Sequence, residues 1–154
     1  GIYSGDITNW KEVGGKHNDI RAFQRDKNSG SQTALERFMG DRPIMDPPVE
    51  DIASLMGTMV DVVSSYKNYS NAIGYTFRYY STKMVHNNNI RLLNVNGVEP
   101  TVDSIRSGDY PITNDIYAIT AGSDNPHIEP FIDWILSEQG QRIVEETGYV
   151  PIKQ

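Results

Sequence analysis

Asp19-Ile-Arg-Ala-Phe-Gln-Arg25-Asp-Lys-Asn-Ser29-Gly30-Ser31-Gln32-Thr33 reads as a strand, a short turn and the start of a helix. The apolar and β-branched start predicts a strand over Asp19–Gln24, or its core Ile20–Gln24. Ala34, Leu35, Phe38 and Met39 then share one face of a helix over Gln32–Met39, which Gly40 ends. The turn between them is rich in hydroxyls and carries one arginine. A helix start offers free backbone N–H groups and the positive end of the macrodipole. Ser29 and Ser31 add hydroxyl donors, and Gly30 lets a ligand approach its amide closely. Arg25 supplies a forked, permanently charged donor. Together these groups can hold a tetrahedral oxyanion. The same residues also serve as plain caps. Ser29-x-x-Gln32 and Thr33-x-x-Glu36 both fit the capping box. Capping and anion binding are compatible, because a cap leaves other first-turn amides free.

Moving outward, Ile2–Trp10 predicts a short helix or turn, closed by Gly14-Gly15. Asp41–Glu50 holds three prolines and reads as an irregular connection. Asp51–Tyr66 is the clearest amphipathic helix, with Ile52, Leu55, Met56, Met59, Val60, Val63 and Tyr66 on its apolar side. Its methionines read as core. Ala72–Phe77 predicts a strand in which Gly74 marks a close approach or a bulge. Arg78–Asn89 gives no clear signal beyond a loop at Asn87-Asn88-Asn89. Ile90–Val95 predicts a strand ended by the Asn96-Gly97 turn. Thr101–Ser107 predicts a short helix stopped by Gly108, and Ile116–Thr120 a further strand. The C-terminal part predicts two helices. Ile128, Phe131, Ile132, Ile135 and Leu136 form the face of the first. Ser137 caps the second, which carries Ile143 and Val144 and stops at Gly148. Tyr149-Val150-Pro151 then runs extended. Strands alternating with helices predict a layered α/β domain.

Length and composition bound the function. The 154 residues fit one domain with a sizeable core, 38% of them hydrophobic and 22% charged. No apolar run approaches the roughly 18 residues of a membrane span, and no signal peptide is visible at Gly1-Ile2-Tyr3. A net charge of −6 argues against nucleic acid. It also means that an anion would be held by short-range, charge-assisted hydrogen bonds rather than steered from afar. The absence of cysteine excludes disulfides, thiolate metal sites and cysteine nucleophiles. His17, His86 and His127 lack metal-ligand spacing, and no G-x-S-x-G elbow occurs. Gly14-Gly15-Lys16-His17 lacks the rest of a P-loop, and the acids of Asp124–Glu129 fit helix capping. No enzyme, metal site or cofactor is therefore expected. Asn68-Tyr69-Ser70 is a formal glycosylation sequon.

Several segments, in order, resemble the phosphate-binding proteins of bacterial ABC transporters. Ile2-Tyr-Ser-Gly-Asp-Ile-Thr-Asn-Trp10 is similar to their I-F-x-G-K-I-T-N-W helix, and Arg25-x-x-x-Ser29-Gly30-Ser31 to their R-x-x-x-S-G-T loop. Asn71-Ala-Ile-Gly-Tyr75 resembles their A-I-G-Y strand, and Tyr110-Pro-Ile-Thr113 their Y-P-L-T region. Phe131–Val144 with Gly148-Tyr-Val-Pro151 resembles their C-terminal end. The likeness spans nearly the whole chain.

The resemblance implies a type II periplasmic binding protein fold, with a central mixed sheet flanked by helices and phosphate held between two lobes. It implies that residues 1–154 form a single α/β domain, the second lobe with the C-terminal helices, and that the first lobe is absent. Arg25, Ser29, Gly30 and Ser31 would be this lobe's phosphate ligands. The partners implied are inorganic phosphate and, through the full-length protein, the transporter's membrane subunits. The location implied is extracytoplasmic, anchored through a segment not present here. No direct membrane insertion and no nucleic-acid partner are implied. Three residues depart from the pattern. Ser31 replaces a threonine and keeps the hydroxyl. Asn28 replaces a frequent glycine and tolerates left-handed backbone. Lys27 replaces an acidic residue beside the arginine, which leaves Asp26 to orient Arg25. Those departures keep a second class open: a sensor or protein-interaction domain with weak or no anion binding, whose partner surface could include Tyr79 and Tyr80.

Overall fold

The computed structural model describes residues 1–47, 52–53, 56–65, 71–84 and 88–152. The described chain divides into two compact units, Gly1–Arg91 and Leu92–Gln154. The sequon Asn68-Tyr69-Ser70, His86, Asn87 and the expected helical residues Asp51, Leu55 and Tyr66 lie outside the described residues.

The first unit is built around the extended segment Arg21–Arg25. Its first half, β1 (Arg21–Ala22), pairs with β4 (Ala72–Ile73), and its second half, β2 (Gln24–Arg25), pairs with β3 (Ile52–Ala53). Both ladders are parallel, with Arg21 opposite Ala72 and Arg25 opposite Ala53. The expected mixed sheet is thus parallel in its ladders, and the antiparallel pairings are isolated bridges, Asn9 with Asp19 and Val95 with Val98. Parallel strands are covered on their faces and read as apolar runs. Ala22, Phe23, Ala53, Met59 and Val60, with Leu35 of the following helix, accordingly form the buried apolar set of this unit among the described residues.

Helix α1 (Gly30–Met39) follows β2 directly, and α2 (Met56–Ser65) follows β3. The second helix begins later than its pattern predicted, because Ile52 and Ala53 are taken into a strand. Phe23, Ala53 and Met59 pack together, with Val62, Val63 and Ala72 around them. Gly74 marks a close approach: a Cβ there would lie 2.6 Å from Met59 Sδ and 2.7 Å from Val63 Cγ2. The Ala72–Phe77 run keeps strand pairing only at its first two residues. Ile2–Trp10 forms a turn, and the regular helix there is a 3₁₀ segment, Trp10–Val13, capped by Asn9. Tyr80–Met84 is a π-helical turn. Tyr79 and Tyr80 are half-buried and meet edge to face at 5.4 Å.

In the second unit, α3 (Val102–Arg106) has a full capping box from Thr101 and Ser104. Ser137 ends α4 (Ile128–Leu136) and caps α5 (Glu138–Glu146), accepting from the Gly140 N–H. Buried Gln141 ties the chain end down, donating to the Ile135 carbonyl and accepting from the Ile152 N–H. Ile90–Val95 and Ile116–Thr120 are not strands here. Ile116 and Ile119 are 78% and 88% exposed. A strand pattern needs a neighbouring edge to pair with; among the described residues Ile116–Thr120 has none, and Ile90–Val95 has only the isolated bridge of Val95 to Val98.

Candidate functional site

The two parallel ladders place one set of groups at their carboxyl edge. Arg25 is the last residue of β2, Ala53 the last of β3, and Tyr75 lies two residues beyond β4. In α/β sheets ligands bind outside this edge, where helices begin. Helix α1 starts five residues after Arg25, so its N-terminus faces the same place.

Ser29 is the N-cap of α1, and its Oγ accepts the Gln32 N–H at 3.2 Å. The capping box stays half-formed, since the Ser29 N–H goes to the Asp26 carbonyl at 2.9 Å and the Gln32 side chain is used elsewhere. Thr33 does not start a second box. It lies inside the helix and its hydroxyl donates back to the Ser29 carbonyl. The cap leaves the N–H groups of Gly30 and Ser31 without an acceptor among the described residues. The Ser29 hydroxyl, whose oxygen accepts in the cap, donates to no acceptor among the described residues, so its proton is open to a ligand. At Gly30 an added Cβ would make only ordinary contact with Phe77, at 3.8 Å.

Arg25 is buried, with 7% of its surface exposed. Its Nε donates to Ser31 Oγ at 3.3 Å, and Nη1 donates to the Ala53 carbonyl at 2.9 Å. Nη2 makes no bond among the described residues. Asp26 is exposed and is not the residue that orients the arginine; a hydroxyl and a backbone carbonyl do so instead. Asn28 does not use the left-handed region either; among the described residues only Asn96 and Ala121 do so without being glycine. Arg25 is therefore a buried cation bonded to neutral acceptors. Burying a charge is costly unless it is paired, and no described residue supplies Arg25 with a negative partner. Ser31 is itself 3% exposed, accepts from Arg25 and keeps its own proton to donate.

The four residues singled out in the sequence, Arg25, Ser29, Gly30 and Ser31, are thus brought to one helix start. Three supporting groups were not read there. The Ala53 carbonyl carries no sequence signal and fell within a predicted helix. Gln32 was read as half of a capping box. Tyr75 accepts the Arg25 backbone N–H at 2.9 Å and donates to Gln32 Oε1. In the sequence it stands as the last residue of the A-I-G-Y resemblance, inside the predicted strand Ala72–Phe77, with no role assigned to its hydroxyl. Burial raises its hydroxyl above the ordinary tyrosine value, which keeps it a donor, against a smaller downward pull from the Arg25 N–H and charge. The depressions lined by Trp10, Gly15, Lys16 and Asn18, and by Asn9, Lys11, Glu12 and His17, contain none of these residues.

Comparison with known proteins gives the same fold. Residues 1–139 match the family described as the PBP superfamily domain. The chain is 30% identical to the phosphate-binding protein PstS of Borreliella burgdorferi, over 99% of this chain and 56% of that protein. It is 30% identical to PstS of Bacillus subtilis, over 98% of this chain and 48% of that protein. A crystal structure from Clostridium perfringens, described as a phosphate ABC transporter substrate-binding protein with bound phosphate, superimposes with a TM-score of 0.74. Identity is 29%, over 99% of this chain and 60% of that one. The chain spans about half the length of the curated relatives it matches.

Proposed function

This chain belongs to the PBP superfamily domain family, and from that membership we propose that it is the part of an extracytoplasmic solute-binding protein that cradles inorganic phosphate. The observation that carries the reading is Arg25, a buried guanidinium bonded, among the described residues, to neutral acceptors and set against the unsatisfied start of α1. A phosphate there would accept from Gly30 and Ser31 N–H, from the Ser29 and Ser31 hydroxyls, and from the free face of the guanidinium. Charge-assisted bonds of this kind are about twice as strong as neutral ones. They are already aimed before the ligand arrives, so little ordering is needed on binding.

No bond is made or broken in this event. Residues 1–154 act as one α/β domain, the second lobe with the C-terminal helices of a two-lobed protein. The opposing lobe closes over the anion by hinge motion. The closed form is read by the membrane subunits of an ABC transporter, in the periplasm or at the outer face of the cell membrane. Among the described residues no helix is long and apolar enough to cross a membrane.

The test is an amide NMR titration of this chain with phosphate, with sulfate alongside. Saturable shifts confined to Ser29–Thr33 and the Arg25 side chain are expected. No response at millimolar phosphate, in this chain and in a full-length protein that contains it, would sink the proposal and favour a sensor or interaction domain. The departure at Lys27 is the sequence feature that such a result would explain.

A further inference from the structure

One phenol oxygen joins three elements at the edge of the cradle. Tyr75 Oη accepts the Arg25 N–H at 2.9 Å from the end of β2 and donates to Gln32 in the first turn of α1, while its own backbone extends β4. Its ring is fixed from behind by Tyr3, whose ring meets it edge-on at 5.4 Å and 81°. Tyr3 in turn donates to the Phe23 carbonyl at 3.4 Å. Gln32 is buried and its amide oxygen is committed to this bond rather than to a capping box. Both sides of the Tyr75 hydroxyl are occupied, so it has no donor left for an anion.

The direct link between arginine and helix is weaker. Arg25 Nε reaches Ser31 Oγ at 3.3 Å, beyond the usual N–H···O range. Hydrogen bonds to a shared ligand weaken steeply with misalignment. Something else must therefore hold Arg25 and the first turn of α1 in register. We infer that Tyr75 is a positioning residue for the anion cradle, its hydroxyl setting the spacing between the Arg25 strand end and the start of α1 through Gln32. This inference rests on the reading of the cradle as an anion site.

The test compares Tyr75→Phe with the parent chain and with Tyr3→Phe. Hydrogen exchange at the Arg25 amide and the shift of its Nε–H are followed together with phosphate titration. Tyr75→Phe is expected to exchange the Arg25 amide at least about tenfold faster and to raise the phosphate Kd about fivefold or more. Tyr3→Phe removes a comparable buried hydroxyl behind the ring. It is expected to lower stability and leave the Kd unchanged, which separates positioning from general loosening. An unchanged Kd in Tyr75→Phe overturns the inference. If neither the parent chain nor a full-length protein that contains it responds to phosphate, the anion reading fails, and an Arg25 Nε–H shift unmoved by Tyr75→Phe then overturns the positioning role as well. Should Tyr75→Phe not fold, Gln32→Met cuts the same link from the helix side and is judged by the same two readouts.

Discussion

Arg25 carries the charge that makes this site unusual among buried groups. Among the described residues its side-chain partners are the Ser31 hydroxyl and the Ala53 carbonyl, both neutral. Lysine at this position would keep the charge and lose the planar fork. A single ammonium cannot span Ser31, Ala53 and an incoming anion with the same geometry. Arg25→Lys is expected to weaken phosphate binding by about 1.5–3 kcal/mol, the range of one hydrogen bond to a charged group. That is roughly ten- to a hundredfold in Kd, and isothermal calorimetry on both proteins would read it. An undiminished affinity would mean that the fork does not touch the ligand. That Ser29, Gly30 and Ser31 meet at the start of α1 was legible in the sequence because the signal is local: a helix start, two serines and a glycine stand within three positions of each other. The groups that hold Arg25 in place were not legible. Ala53 contributes only a backbone carbonyl, and Tyr75 acts from fifty residues away through pairing that no local pattern encodes.

Helices and strands differ in how far their signals reach. Helix α1, its N-cap Ser29 and its end at Gly40 follow from neighbouring residues, as do the caps at Thr101 and Ser137. The short strands depend on partners distant in sequence. Asp19–Gln24 was read as one strand, whereas the extended Arg21–Arg25 is split between two neighbours, and Ile116–Thr120 has the alternation of a strand and no pairing among the described residues. Gly74 is the case where a local signal foretold a tertiary contact. It follows β4 directly and lies against α2, where a methyl group would meet Met59 and Val63 inside van der Waals distance. The methionine end can move aside, but the branched Val63 side chain has little rotamer freedom in a helix. Gly74→Ala is therefore expected to destabilise the first unit by about 1–3 kcal/mol through overpacking. Urea unfolding followed by circular dichroism would measure it. A midpoint equal to that of the parent would show that α2 and the strand end separate freely.

At the scale of the whole molecule, pH acts on stability and on the ligand in opposite ranges. Tyr3 lies well above the ordinary tyrosine value, chiefly because it is buried and secondarily because Tyr75 is beside it. Tyr75 is raised as well, chiefly by burial. In the unfolded chain both ionise near pH 10. Above that pH the unfolded state loses protons that the folded state keeps, so stability falls as pH rises, and it is unaffected by these groups below. Thermal melts at pH 8, 10 and 11 should show the loss setting in near pH 10, and Tyr3→Phe should reduce it. The ligand responds lower on the scale. Every group aimed into the cradle is a donor, and no carboxylate bonds to it among the described residues. Such a site rewards negative charge and does not read the phosphate proton. A phosphate group takes its second charge near pH 6 when esterified, whereas sulfate keeps two charges throughout. Lowering the pH from 8 to 5 should therefore weaken phosphate binding to this chain and leave sulfate binding nearly level, so that sulfate becomes the better ligand in acid. An acceptor for the phosphate proton, supplied by another part of a full-length protein, would reverse that order. A full-length protein containing this cradle should then prefer phosphate across the range. Strong phosphate preference by this chain alone would require an acceptor within the chain itself, and would move the origin of selectivity into this lobe.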